Sequence, residues 1–370
     1  MAAQAGPHNA LIDIPGIRVG HHTAVGNGYL TGTTVVLAPA GGMTAGVDVR
    51  GGGPATHETD LLAPMASVQR VHALVLTGGS AFGLVTCTGV MNDLASAGIG
   101  VPVGPGAGNV VPIVPGAALL DLGRGGDFTA RPTLEFGSSA LRAAQDDAVG
   151  ATGPAGQQVG SIGAGTGAVT SNLKGGIGTA SVVLPGIGTV AALVAVNAAG
   201  SPIDTSTGEL LGAHLLLPAD GSLPMVTDAA RDALNEATAP RPPGIGFAPA
   251  EQAEADVIGH TTLVVVGTDA ALTKAQCAKM AAVAQNGLAR SLNPVHTMFD
   301  GDIVFGLATG SAQAPDMLGF HQITVAAANV VGRSIVRALL AAHSVTTAAG
   351  SWPSYSAVIN GAGKTGPTTG

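Results

Sequence analysis

Apolar positions along the chain follow two periods. Short β-branched runs bounded by turn residues predict strands at 31–39 (TGTTVVLAP), 72–79 (HALVLTGG), 180–185 (ASVVLP), 189–200 (TVAALVAVNAAG), 261–267 (TTLVVVG) and 302–310 (DIVFGLATG). Helical spacing predicts helices over 80–98, opened by Ser80 and stopped by Gly98, over 132–148, from Thr273 onward, and over 322–342. In the third helix Gln276 follows Thr273 at capping-box spacing, and Cys277, Met280, Ala284, Leu288 and Leu292 share one face. Residues 11–19 (LIDIPGIRV) read as a strand-turn opening. Strands alternate with helices but also come in adjacent pairs. That mixture favours a layered α/β or α+β domain of packed sheets over a doubly wound nucleotide fold.

Composition sharpens this picture. Glycine supplies 57 of 370 residues, roughly twice average usage, while aromatics supply only 3%. The sheets and helices therefore belong to a Gly/Ala/Val protein with close backbone packing, and no Gly-x-y period makes it collagen-like. With 46% hydrophobic and 10% charged residues it reads as globular and long enough for a sizeable core. A formal charge of −8 opposes an electrostatic nucleic-acid footprint. Cys87 and Cys277 lie far apart in apolar helical contexts, which predicts two buried thiols and no disulfide framework. The opening MAAQAGPHNALIDIPG lacks a basic stretch followed by an apolar one, and apolar runs are interrupted before about 18 residues. Neither a signal peptide nor a membrane span is predicted, and a cytoplasmic protein is expected.

Candidate chemistry narrows to one stretch. GSIGAGTGAV (160–169) spaces its glycines as GxGxG, not GxGxxG, and GAGKTG (361–366) has Val358 where a phosphate loop needs glycine. The polar clusters His21-His22, His57-Glu58 with Asp60, and His296 with Asp300 and Asp302 lack zinc-site spacing, so no metal and no cofactor is expected. No GxSxG elbow surrounds Ser80. There remains GHTTLVVVG (259–267), where His260, Thr261 and Thr262 join a Pro-rich, acidic approach to an apolar strand. A threonine heading a chain can use its own α-amine as base, because that amine has a pKa of roughly 7.7–8.0. Cleavage before Thr261 creates nucleophile and base together. Without cleavage Thr261 is an ordinary strand residue, and residue chemistry alone leaves that second reading ahead. In a strand Asp300 and Asp302 would point to the same face; alone they read as a solvated turn in which one carboxylate caps backbone amides.

Several blocks resemble the DmpA-type aminopeptidase and nylon-oligomer-hydrolase family. They are NALIDIPGIRVGHHT (9–23), AGVDVRGGGPATHETDLLAP (45–64), ALVLTGGSAFGL (73–84), NLKGGIGTAS (172–181), AVNAAG (195–200) and HTMFDGDIVFGLATG (296–310). They occur in family order from about residue 9 to residue 342. The resemblance implies a four-layered α-β-β-α sandwich, similar in layout to the N-terminal-nucleophile hydrolases but with different strand connectivity. It implies one hydrolase domain, 1–370, made as a precursor that cuts itself between His260 and Thr261 into fragments 1–260 and 261–370.

Position by position, the resemblance makes Thr261 the nucleophile and Lys174 a neighbouring charge that keeps its amine less protonated. Asn197 becomes the oxyanion donor, and Asp300 with Asp302 the pair that orients nucleophile and amine. Phe82 occupies a substrate-binding position where many relatives carry Tyr, and His260 stands where the nylon-oligomer branch often has Asn. A peptide, β- or D-aminoacyl amide or linear oligoamide substrate is implied, as is a homo-oligomer, a tetramer of processed units. Two alternatives stay open: a non-catalytic binding protein on the same fold, with His260 marking lost processing, and a nucleotide-binding protein using its glycine loops.

Overall fold

The computed structural model describes residues 3–106, 108–146, 159–239 and 259–362. The Pro-rich approach (240–258), the end of the predicted 132–148 helix and the C-terminal stretch beyond residue 362 lie outside the described residues.

Two five-stranded sheets carry the fold. The first runs, in spatial order, β1 (Arg18–Gly26), β2 (Tyr29–Leu37), β5 (Ala73–Thr77), β6 (Gly116–Ala118) and β4 (Ala55–His57). The second runs β7 (Gly176–Leu184), β8 (Gly188–Val196), β9 (Leu263–Thr268), β10 (Ile303–Ala308) and β3 (Thr44–Val49). In the second sheet β9 and β10 are parallel and all other neighbours antiparallel. Helices α1 (Val85–Ser96) and α2 (Leu134–Gln145) pack on the first sheet. Helices α4 (Lys274–Ala289) and α5 (Met317–Ala341) pack on the second, while α3 (Asp228–Thr238) and α6 (Tyr355–Ala362) pack on each other.

Three buried clusters separate the four layers. One joins α1 and α2 to Val35, Leu37 and Val75 of the first sheet. The middle one interleaves Val36, Leu74 and Leu76 with Leu193, Leu263, Val265, Ile303, Phe305 and Leu307. The third sets Val264, Val266 and Val304 against Met280, Leu288, Val331 and Ile335. Strands β9 and β10 read as unbroken apolar runs because both their faces are covered. The expected α-β-β-α sandwich is the observed architecture.

The high glycine content has a packing reason here. A Cβ on Gly46 of β3 or Gly306 of β10 would strike the α4 backbone at Cys277 and Ala278, so this helix lies closer to the sheet than any side chain permits. Its N-terminus is capped as predicted: Gln276 Oε1 accepts the Thr273 N–H at 2.9 Å, and Thr273 Oγ1 accepts the Gln276 N–H at 3.3 Å. Helix α5 begins five residues before the predicted start, because Asp316 caps it by accepting the Gly319 N–H at 2.7 Å. By length and composition α5 could cross a membrane, but most of it is buried inside the protein.

Candidate active site

Strand register brings the site together. Ala195 of β8 faces Leu263 of β9, which carries Asn197 to the level of Thr261. Leu263 also lies beside Ile303 of β10, so Gly301 comes beside Thr261. Ile303 in turn faces Val49 of β3, which brings Gly51 to Gly301. Four strand ends thus converge where the ladders stop. The predicted strand begins two residues late, at Leu263, because the Thr262 N–H goes to the Asp302 carboxylate at 2.8 Å and not to a neighbouring strand.

The His260 carbonyl oxygen accepts the Gly301 N–H at 2.8 Å and the Thr261 hydroxyl at 2.6 Å. The Thr261 N–H donates to the Asn197 carbonyl at 2.5 Å. Position 301 requires glycine, since a Cβ there would stand 2.5 Å from Thr261 Oγ1 and 2.8 Å from the Gly53 carbonyl oxygen. The His260 ring is half-buried with Nδ1 unpartnered, and its desolvation, reinforced by Arg124 and opposed by Asp300, pushes its pKa down to about 4.

Asp300 and Asp302 correct one expectation. They precede β10 and do not share a strand face. Each is 1% exposed, and each carboxyl group gathers donors from two segments of the chain. Asp300 accepts the Ala199 N–H at 3.2 Å, the Thr297 N–H at 2.9 Å and the Thr297 hydroxyl at 2.6 Å. Besides Thr262, Asp302 accepts the His296 N–H at 3.1 Å and faces His296 Nδ1 at 2.9 Å. The amide-capping reading of this pair is the one observed, without the solvent. Asp302 fixes the backbone one residue beyond Thr261, and Asp300 fixes the turn that follows Asn197.

Lys174 reaches the interior through a tight hairpin. Residues 169–170 pair with 173–174 around Ser171 and Asn172, both at positive φ, as a two-residue type I′ turn requires. The Lys174 Nζ donates to the carbonyls of Gly165 (3.0 Å), Ala168 (2.9 Å) and Gly175 (2.8 Å). Burial, reinforced by Arg124 and opposed by Asp121, pushes the Lys174 pKa down to about 7. All three ammonium protons have carbonyl acceptors, so this lysine acts on its surroundings through charge.

Asn197 directly follows β8. Its Oδ1 accepts the Val169 N–H at 3.0 Å and an Arg124 guanidinium N–H at 2.5 Å, while Nδ2 donates to the Leu120 carbonyl at 3.3 Å. Phe82 is not part of this polar group: its ring, 52% exposed, lies 3.8 Å below the Arg131 guanidinium. Cys87 and Cys277 are buried free thiols, both pushed up to about 12 by burial. Among the described residues, no three His, Cys, Asp or Glu side chains gather as a metal-holding group.

A protein-family model described as peptidase family S58 matches residues 9–352. The chain belongs to peptidase family S58. This S58 member is 42% identical to an uncharacterized aminopeptidase of Mycobacterium leprae, over 98% of this chain and 97% of that protein. It is 28% identical to a 6-aminohexanoate-oligomer endohydrolase of a Kocuria strain, over 83% of this chain and 77% of that protein. Among solved structures it matches a β-aminopeptidase of Burkholderia with a TM-score of 0.70 at 24% identity, covering 97% and 95% of the two chains. It also matches an l-aminopeptidase d-Ala-esterase/amidase of Ochrobactrum anthropi, described as a new variant of the Ntn-hydrolase fold. That TM-score is 0.67 at 20% identity, covering 98% and 96%. The S58 chain is therefore an amide-bond hydrolase by kinship, on an Ntn-like fold.

Sequence reasoning missed the residues around the S58 site that act through the main chain or through a partner. Gly301 contributes its N–H and its lack of a side chain, and Arg124 contributes the bond to Asn197. Asp121 accepts the Gly79 N–H at 2.7 Å, and burial pushes its pKa up to about 6 against the pull of that bond and of Arg124 and Lys174. The only signal for Arg124 was a cation inside a glycine-rich turn, in a chain with only 15 lysines and arginines.

Proposed function

We propose that this S58 peptidase is a self-processing amide hydrolase that cuts itself between His260 and Thr261 and then uses Thr261 as an N-terminal nucleophile. The observation that carries the reading is the His260 carbonyl, whose oxygen is held by the Gly301 N–H at 2.8 Å with the Thr261 hydroxyl 2.6 Å away. In maturation Thr261 Oγ attacks the His260 carbonyl carbon. The carbonyl oxygen becomes an oxyanion on the Gly301 N–H, and the hydroxyl proton passes to the Thr261 nitrogen as the C–N bond breaks. The product is an ester between His260 and Thr261 Oγ, with a free α-amine. Water hydrolyses the ester and leaves fragments 1–260 and 261–370.

In turnover the freed amine, next to the Asn197 carbonyl, takes the Thr261 hydroxyl proton, and Oγ attacks the substrate carbonyl. The Asn197 Nδ2 donates to the new oxyanion, a contribution of roughly 3 kcal/mol for one such donor. The leaving amine takes the proton back, and water hydrolyses the acyl-enzyme. Lys174 and Arg124 place positive charge around the amine and favour its neutral form. Asp300 and Asp302 hold the Asn197 and Thr262 segments in register. The aminopeptidase relatives, of higher identity and coverage, favour peptides with a free N-terminus as substrates. A threonine nucleophile and the Asp-Gly-Asp pattern extend that class toward linear oligoamides.

Intact-mass analysis and N-terminal sequencing of purified protein test the reading. Two chains are expected, one starting at Thr261, and Thr261→Ala should give one uncut 35.8 kDa chain without amidase activity. A wild type that stays whole, or a Thr261→Ala protein that still cuts and hydrolyses, refutes it.

A further inference from the structure

We propose that Arg124 is the positioning residue that sets the Asn197 amide for turnover. The inference rests on the reading of Thr261 as nucleophile and Asn197 as oxyanion donor. An asparagine amide can face either way, and only its partners decide which atom points into a site. Here two donors, Arg124 and the Val169 N–H, converge on one amide atom at 2.5 and 3.0 Å, and that atom must be the oxygen. The NH2 group therefore points the other way. One of its protons goes to the Leu120 carbonyl at the long distance of 3.3 Å, which leaves the second for a substrate oxygen.

Arg124 is itself firmly held. Its guanidinium also donates to the Gly167 carbonyl at 2.6 Å, and its own carbonyl accepts the Thr347 hydroxyl at 2.6 Å. Gly167 lies between Gly165 and Ala168, whose carbonyls hold Lys174. The bonds to Asn197 and Gly167 both leave one terminal nitrogen, Nη1, whose two in-plane N–H groups tie the oxyanion donor to the cage of the buried lysine. The charged and titratable groups around it are Lys174, Asp121 and His260, and Asp300 acts on His260 in the opposite sense to Arg124.

The test uses the full-length enzyme carrying Arg124→Lys or Arg124→Met, each also combined with Asn197→Ala. Both Arg124 variants should still process, because maturation uses the Gly301 N–H and not the Asn197 amide. Arg124→Lys keeps a positive charge but not the planar Nη1 group at the end of the longer side chain. It should lower kcat by about 10- to 100-fold with KM little changed, short of the full loss of one oxyanion donor because the Val169 N–H remains. Arg124→Met should lower kcat similarly and also move the acid limb of its pH profile upward by about one unit, since a positive charge beside Lys174 and the α-amine is gone. In the Asn197→Ala background, Arg124→Lys should cost no more than about twofold further, as residues acting through one another are not additive.

A processed Arg124→Lys enzyme with wild-type kcat overturns the assignment. So does a full additional loss on top of Asn197→Ala, or a folded variant that no longer cuts itself. The two readings fail separately: an uncut wild type removes Thr261 as nucleophile, whereas a cut wild type indifferent to Arg124 removes only this inference.

Discussion

Gly301→Ala isolates the geometry of the proposed self-cleavage in one methyl group. The added Cβ would stand 2.5 Å from Thr261 Oγ1 and 2.8 Å from the Gly53 carbonyl oxygen, both inside any ordinary carbon–oxygen contact. The Gly53 side offers no easy relief, because it is backbone whose own N–H is bonded to the Asp300 carbonyl at 2.9 Å. The softer atom is the hydroxyl, and restoring normal contact requires it to move by roughly 1 Å, away from the His260 carbonyl. Misplacement of a reacting atom by about that distance costs on the order of 100-fold. Any tilt of the 301 peptide also weakens the N–H donor on the developing oxyanion, which is worth on the order of 100- to 1000-fold.

Processing should therefore slow by at least about 100-fold, at an overpacking cost to stability of about 1–3 kcal/mol. The assay follows precursor decay by gel and intact mass after pulse expression. Gly361→Ala serves as control, because a Cβ there meets nothing within 4 Å. A Gly301→Ala protein with native circular dichroism that cuts at the wild-type rate would refute the account, since the hydroxyl would then not need its place beside the carbonyl.

Two further predictions concern the buried charges. Asp302→Asn puts an NH2 group where only N–H donors face it, from Thr262 and His296. It should slow processing and lower stability by about 2–4 kcal/mol in urea unfolding, and a loss below about 1 kcal/mol refutes the pinning role. His21 and His260 are both pushed by burial from 6.5 down to about 4, so the native state binds fewer protons than the unfolded chain between those values. Their contribution is complete above about pH 6.5 and is lost as pH falls toward 4, up to about 3 kcal/mol each, while Asp121, pushed up to about 6, works in the opposite sense below that pH. Melting temperature should fall over this window and fall less steeply in His260→Asn; equal slopes refute the His260 share.

How much was legible in the sequence depends on how local each cause is. Strands β9 and β10 were readable because burial on both faces leaves an unbroken apolar run in one short segment. The α4 cap was readable because Thr273 and Gln276 are three residues apart. The site wiring was not. Asn197 and Arg124 are 73 positions apart and Thr262 and Asp302 are 40 apart, so their contacts exist only once the register of four strands is fixed. Asp300 and Asp302 were readable as a turn that caps amides, but not which amides, because their donors, Ala199, Thr297, Thr262 and His296, come from segments whose meeting no local pattern announces.

The same distinction bears on the residue before the proposed cut. What the surrounding strands hold is the His260 carbonyl, through the Gly301 N–H, and every residue type supplies a carbonyl. The His260 ring makes no hydrogen bond through its buried Nδ1 and carries no charge at neutral pH. Histidine in place of the asparagine implied by the resemblance to the nylon-oligomer branch therefore leaves the geometry of the proposed cleavage unchanged. The constraint falls instead on Gly301, where a single methyl group would crowd the hydroxyl of the proposed nucleophile, Thr261.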